Sequence, residues 1–511
     1  MFEKKFTLNE FKNLTNNFYL FLSIFLFIFS FKYVDDWSVH INYLVYLILT
    51  SFFLRQKRFN KNNLSLIINF YTTFFLTIPL SYIIFNHSYV FGSGSLFLPF
   101  SQAEYRQSIN VVILKIILMW LFLWLSIYLT SKNKNDKKLF IQNKIPSINI
   151  GIIFVIIILG IFVSMFVNQN FISAMNNSTA PGVNIFRFLL SDPAIIIYCS
   201  ILFVYYKNKN HQLKIENLDL KYFLFILLYF FNFLLLGSKA GILILYLLSF
   251  LFILSSLRLN EKVYIFFLNK FGIFILILST ILAFIVIDVF RANFYLSKSI
   301  SFADLFDIFK NYSNYFSETS PLLFEKILKR LAIQGLDQFI LINLTFSEYD
   351  FQYTKEFVLY IYKNFLNLML PGTIYTEAYT PSSQLFTDLL FKKNLIGNSD
   401  EFYILKNFNT QPFSVFGFFT ILFGPYYSMI GIFIYFFSLS SILNKIDDVF
   451  LRVVIVVIFY SSLIIFSFES TIALQIQLYF QLLFIHYLLL SLNVVYKKNI
   501  LFKENNLGLF K

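Results

Sequence analysis

Three cations at separate positions in the chain have the residue types needed to hold a phosphate or pyrophosphate anion. Lys239 lies within Gly237-Ser238-Lys239-Ala240-Gly241, between two apolar runs. A lysine beside serine and glycine at a helix start can present its charge together with exposed backbone N–H groups. Arg291 and Arg330 are the other two cations, and Lys329 precedes the latter. Each also fits a simpler interpretation, as a snorkelling or solvated basic side chain.

Carboxylates are abundant between residues 290 and 412, and any of them could act as a general base toward a hydroxyl group. Glu377 is the candidate that we assign; the others are Glu318, Glu325, Asp337, Glu348, Asp388 and Glu401. The chain has four scattered histidines and one cysteine, Cys199, so no metal-ligand set is predicted. Walker, dinucleotide-binding and zinc-helix motifs are absent from the sequence, and no cofactor is predicted.

The composition indicates what must position these residues. Hydrophobic residues make up 58% of the 511 and charged residues 13%, which is typical of a polytopic membrane protein. A net charge of +14 would suggest nucleic acid binding in a soluble protein, but here its distribution indicates membrane topology instead. Segment 290–412 is the exception, because it contains 11 of the 41 Lys/Arg and 12 of the 27 Asp/Glu.

Apolar runs long enough to cross a bilayer need about 20 helical residues each. Twelve such runs are predicted, near 16–33, 39–54, 64–85, 109–129, 148–168, 187–206, 222–237, 240–257, 264–289, 414–440, 450–468 and 472–493. The basic links all fall on one side if the N-terminus is inside, so the positive-inside rule predicts that both termini are cytoplasmic. Segment 290–412 then faces outside.

The fold class predicted is therefore an all-α polytopic membrane protein with one large extracytoplasmic loop. Three regions follow: helices 1–9 in residues 1–289, the loop in 290–412, and helices 10–12 with a cytoplasmic tail in 413–511. The loop itself contains signals for short amphipathic helices, starting at Ser301-Phe302-Ala303-Asp304, at Ser320-Pro321 and near residue 355. We expect these helices to lie on the outer leaflet. Residues 371–412 are rich in turn signals.

Three parts of the chain together resemble a known family: Leu236 through Gly241, the outside loop with Arg291 and Arg330, and Gly417 through Gly424. Together they are similar to the oligosaccharide repeat-unit polymerases of O-antigen and capsule synthesis, the Wzy type. That family commonly has a glycine-serine-arginine element where this chain has Lys239. The resemblance covers about residues 150–470. It rests on the layout of spans and loops along the chain more than on a specific sequence motif.

The resemblance implies an enzyme of the cytoplasmic membrane that joins undecaprenyl-pyrophosphate-linked oligosaccharides by metal-independent glycosyl transfer. Arg291, Arg330 and Glu377 would then be catalytic, while Ser238, Lys239 and Lys329 would bind substrate. Its partners would be the lipid-linked oligosaccharide, membrane lipid and a chain-length regulator protein, with no nucleic acid. Two alternatives stay open: an O-antigen ligase, which uses the same donor, and a flippase or other transporter of lipid-linked oligosaccharide.

Overall fold

The computed structural model describes part of the chain in detail. The described residues are 6–33, 36–56, 59, 64–86, 102–130, 158, 192–209, 225, 227–230, 262–263, 336, 339, 342, 351–369, 415–446, 448–464, 471–473 and 475–491.

Helices dominate the described part of the chain. In chain order they are α1 (Leu8–Tyr33), α2 (Trp37–Leu54), α3 (Leu64–Tyr71, continued by Thr72–Thr77 and Ile78–Asn86), α4 (Gln102–Thr130), α5 (Asp192–Lys209), α6 (Phe351–Met369), α7 (Val415–Lys445), α8 (Val449–Ile464) and α9 (Thr471–Ser491). Two short strands, β1 (Phe6–Thr7) and β2 (Lys262–Val263), pair antiparallel. β1 therefore places the N-terminal segment beside the link that contains Lys262.

Six of the described helices are long and apolar enough to cross a membrane: α1, α2, α3, α4, α7 and α9. They correspond to the predicted runs at 16–33, 39–54, 64–85, 109–129, 414–440 and 472–493. These predictions are confirmed as apolar helices of membrane-spanning length, except that the run at 414–440 is interrupted at Gly424. The fold is accordingly that of a helical membrane protein. α5 and α8 overlap the runs predicted at 187–206 and 450–468. The runs predicted at 148–168, 222–237, 240–257 and 264–289 lie almost wholly outside the described residues.

Contacts near the helix ends show that α1, α2 and α3 alternate in direction. Asn69, near the start of α3, donates to Asn16, near the start of α1 (2.6 Å). At the opposite end of α1, the Ser30 hydroxyl lies 3.0 Å from Nδ1 of His40, in the first turn of α2. α1 and α3 therefore begin at one end of the bundle, and α2 begins at the other.

α4 packs extensively against α7 and runs in the same direction as the main part of that helix. Asn42, near the start of α2, donates to Asn110, near the start of α4, so both helices begin at one end. At the other end Thr130 and Ser440 hydroxyls lie 2.6 Å apart, and Asn444 donates to the Thr130 carbonyl (3.1 Å). The C-terminal ends of α4 and α7 are therefore together.

The described side chains of α5 are enclosed within the bundle. Residues 194–202 are buried on every side, including Cys199, as expected of a helix that is apolar all round. Tyr198 stacks on Phe450 of α8 with ring centroids 5.9 Å apart. Its hydroxyl lies 3.0 Å from Nδ1 of His486 in α9. His486 is therefore a hydrogen-bonded packing residue.

A buried network of hydroxyl groups joins α1, α2 and α3. The Tyr19 hydroxyl lies 2.6 Å from that of Thr50 and 3.0 Å from that of Thr77, which also lies 2.9 Å from the Tyr46 hydroxyl. Thr77 ends the π-helical segment Thr72–Thr77, where one turn of α3 is widened. Lipid tails are as apolar as the helix surfaces, so the hydrophobic effect does not drive membrane helices together. Side-chain hydrogen bonds of this kind help to hold them together instead.

Candidate functional site: the broken helix α7 and its partner α6

The residues assigned to chemistry from the sequence lie outside the described residues: Ser238, Lys239, Arg291, Lys329, Arg330 and Glu377. The structure therefore neither brings them together nor separates them. One element of the family resemblance does lie within the described residues, namely Gly417 through Gly424 in α7. This element contains the most irregular backbone of the described chain, and the candidate site is built from it.

α7 is interrupted at Gly424. Its backbone angles there are φ 77° and ψ 174°, in a region that residues other than glycine rarely adopt. Pro425 follows, with its fixed φ suited to the first position of a new helix. The sequence Gly424-Pro425 thus ends one helical arm, Val415 to Phe423, and begins a second that continues to Lys445.

The chain reverses direction at this break. A Cβ added to Gly431 would lie 2.6 Å from the Phe423 ring and 2.7 Å from the Phe419 ring. In a straight helix, Phe419 and Gly431 would be separated by about 18 Å along the axis. Phe419 also packs on Tyr435, with ring centroids 5.7 Å apart. The first arm therefore folds back along the second, and Gly431 provides the space that the two phenylalanine rings occupy.

α6 satisfies a carbonyl group that the proline leaves open. In an α-helix the Ile421 carbonyl would accept from the N–H of residue 425, and Pro425 has none. The Thr354 hydroxyl of α6 donates to this carbonyl instead, at 3.1 Å. Both residues are buried, with 9% of the surface of Thr354 and 2% of that of Ile421 exposed. A buried carbonyl without a partner would cost free energy, so Thr354 stabilises the broken form of α7.

Aromatic packing continues the contact between α7 and segment 290–412. Phe357, one turn after Thr354, packs against Phe418 with ring centroids 5.6 Å apart. Phe339 packs against Phe416 at 5.9 Å and is fully buried. Leu336 and Ile342 are buried as well. These residues of segment 290–412 thus belong to the core of the helical bundle.

The sequence predicted a third amphipathic helix near 355–369, and the structure confirms a helix there, Phe351–Met369. What the sequence did not predict is the contact of its buried face with α7. The available signals were the Gly-Pro pair inside an apolar run and the apolar spacing of Leu336, Phe339 and Ile342. The helix signals at 301–304 and 320–321, and the turns of 371–412, lie outside the described residues.

The tip of the reversal exposes two tyrosines. Tyr426 and Tyr427 are 77% and 66% exposed, and they directly follow Pro425. Further along the same arm Ile430 and Ile434 are also exposed, which is expected of a face that contacts lipid. Tyrosine is enriched where membrane meets water. The tip of α7 therefore has the composition of a membrane–water interface, next to the carbonyl that Thr354 caps.

Among the described residues, no group of three or more His, Cys, Asp or Glu side chains lies close enough to hold a metal ion. His40 is buried, and its Nε2 atom has no hydrogen-bond partner among the described residues. The rings of Phe27, Phe31 and Trp37 surround it at centroid distances of 4.3 to 5.8 Å. This aromatic environment lies at the α1–α2 turn, where the Ser30 hydroxyl lies 3.0 Å from Nδ1 of His40.

Comparisons with known proteins identify no relative: no protein-family model, curated protein or solved structure matches the chain.

Proposed function

We propose that the protein is a polymerase that joins undecaprenyl-pyrophosphate-linked oligosaccharide repeat units by metal-independent glycosyl transfer. The observation that supports it best is the packing of α6, which belongs to the charged segment 290–412, onto the broken helix α7. A lipid-linked donor keeps its polyprenyl tail in hydrocarbon and its charged pyrophosphate in a polar environment. A junction between an apolar bundle and a charged segment offers both environments together.

In the proposed reaction, a hydroxyl at the non-reducing end of one oligosaccharide attacks the anomeric carbon of another. A new C–O bond forms there, the bond to the lipid pyrophosphate breaks, and its electron pair leaves with the pyrophosphate. Glu377 accepts the proton of the attacking hydroxyl. Lys239, Arg291 and Arg330 stabilise the charge that develops on the leaving group. Ser238 and Lys329 contribute further contacts to the pyrophosphate.

The proposed topology has twelve spans in the cytoplasmic membrane, both termini in the cytoplasm, and segment 290–412 leading to the outer face. The pairing of Phe6–Thr7 with Lys262–Val263 supports it, because the topology predicts both segments on the cytoplasmic side. The contact between Thr130 and Ser440 also agrees with this topology, because both residues lie at the ends of spans predicted to run inward.

A lipid-linked oligosaccharide transporter is the second candidate, and the broken helix favours it. Transporters commonly build substrate sites from discontinuous membrane helices. An O-antigen ligase would share the donor and differ in the acceptor. Gene deletion followed by gel analysis of surface polysaccharide separates the polymerase from the other two. A polymerase deletion leaves single capped repeat units, whereas a flippase or ligase deletion leaves no surface units.

Substitution of the proposed cations tests the mechanism. Arg291→Ala or Arg330→Ala should leave protein abundance normal and shorten the polymer ladder toward single units, since loss of one such partner costs roughly a hundredfold in rate. Arg330→Lys should also be impaired, and Lys239→Arg tolerated. Lys355→Ala is the control, because Lys355 is an exposed cation of the same segment. An unchanged ladder with alanine at all three positions would exclude these cations from the site.

A further inference from the structure

An open groove of about 560 Å³ lies between α1 and α2, at the end of the bundle where α2 finishes. Leu20 of α1 and Phe52 of α2 form apolar walls, and Ser51 lies between the two helices. Arg55 and Gln56 line the groove where α2 ends. The groove is therefore apolar along its length and polar at one end.

Arg55 is exposed at that polar end. Its backbone N–H donates to the Phe52 carbonyl and that of Gln56 donates to the Phe53 carbonyl, which fixes the chain at the helix end. Within the described part of the chain, its guanidinium makes neither an ion pair nor a hydrogen bond. In the sequence Lys57, Arg58 and Lys61 follow closely. The groove thus ends at an available cation in a strongly basic stretch.

The surfaces on either side of the groove are apolar and exposed. On α1, Phe21 and Ile24 are 72% and 51% exposed, and on α2, Ile48 is 57% exposed. Such surfaces on helices of membrane-spanning length contact lipid. The groove therefore opens toward acyl chains, with the cation at the level where headgroups begin.

From this combination we infer that the groove binds one anionic phospholipid, with an acyl chain between Leu20 and Phe52 and the headgroup phosphate on Arg55. The five donors of a guanidinium suit a phosphate diester. Basic residues beside a membrane helix attract anionic lipid, and a pocket between helices selects it more tightly than a flat surface. This inference is independent of the proposed glycosyl transfer.

Lipid retention by the purified, full-length protein tests the inference. Protein in neutral detergent is titrated with phosphatidylglycerol or with phosphatidylcholine of the same acyl chains, and bound lipid is counted by native mass spectrometry. We expect one phosphatidylglycerol to bind selectively. Arg55→Gln should weaken its binding about fivefold, the worth of one cation near a membrane surface. Leu20→Trp, which fills the groove, should weaken it as well.

Lys445→Gln is the matched control. Lys445 is an exposed cation at the same end of the bundle, and it lines no part of the groove. Its loss should leave the selective binding unchanged. Equal binding of the two lipids, an unchanged affinity in Arg55→Gln, or an equal loss in Lys445→Gln would overturn the inference. Displacement of the lipid by glycerol phosphate at similar concentration would also overturn it, because the site would then recognise the anion alone.

Discussion

Buried polar groups are satisfied in different ways in the two regions of the bundle that the structure describes best. In α1 to α3, side chains bond to side chains between continuous helices, as Tyr19 does with Thr50 and Thr77. In α6 and α7, a side chain satisfies a backbone carbonyl at a break, as Thr354 does for Ile421. The first arrangement aligns helices with one another. The second makes the conformation of one helix depend on another segment of the chain.

The two regions, α1 to α3 and α6 with α7, also differ in the kind of backbone irregularity that they contain. Thr72–Thr77 of α3 form a π-helical turn, which widens the helix and lets it continue. Gly424-Pro425 of α7 ends one arm and reverses the chain. A continuous helix keeps its backbone groups paired within itself, whereas a break leaves buried backbone groups that another part of the protein must pair. We therefore expect substitutions around α7 to affect segment 290–412, and substitutions in the hydroxyl network of α1 to α3 to affect stability alone.

The largest effect should come from Gly424→Val. A β-branched side chain at φ 77° is strained, and we expect a loss of about 3 kcal/mol in stability. The thermal denaturation midpoint of the purified protein in detergent measures this loss. Ile430→Val is the control, because Ile430 lies exposed on the same helix. Equal midpoints for the two variants would contradict the reversal at Gly424.

The next effect should come from Thr354→Val, which removes the cap on the Ile421 carbonyl while keeping the side-chain shape. We expect a loss of about 2 kcal/mol in stability and a shorter polymer in cells. Thr354→Ser keeps a hydroxyl group and should restore most of both. If Thr354→Ser is as defective as Thr354→Val, the hydroxyl group is not what joins α6 to α7.

Tyr19→Phe should have a smaller effect, and one of a different kind. It removes a hydroxyl group from the network with Thr50 and Thr77, and hydrogen bonds between membrane helices are worth about 0.6 to 1 kcal/mol. The denaturation midpoint should fall slightly, and polymer length should stay normal. A double-mutant cycle with Thr77→Val should give a coupling energy of similar size. A shortened polymer with normal protein abundance would break the distinction between the two regions.

The smallest effect should come from Asp36, which caps the start of α2. The hydroxyl and backbone N–H of Ser38 lower the pKa of this carboxyl group below its ordinary value. The stabilisation is therefore present above the ordinary pKa and is lost as the pH falls through the lowered one. Asp36→Ala should cost about 0.5 kcal/mol at neutral pH. Asp36→Asn should keep the cap and remove this acid dependence, which midpoints measured at two pH values would detect.

The sequence was most informative where the physical signal is local. Apolar runs of membrane-spanning length predicted α1 to α4, and helical spacing with a proline soon after it predicted α6, because both depend on neighbouring residues alone. The reversal of α7 was not predicted, since an apolar run containing Gly424-Pro425 is compatible with a kinked span. Nor was the contact between Thr354 and Ile421, because it joins positions distant in the sequence. For the same reason the grouping of Lys239, Arg291, Arg330 and Glu377 stays a prediction.

Reconstitution of the purified protein tests the central claim most directly. The protein is placed in liposomes with undecaprenyl-pyrophosphate-linked repeat units as the sole substrate, and the products are separated on a gel. We predict a ladder of polymer with release of lipid pyrophosphate by wild type and Thr354→Ser, and a much shorter ladder from Thr354→Val. Units that cross the bilayer without joining would contradict the polymerase and favour the transporter. A full ladder from Thr354→Val would contradict the role given to the broken helix.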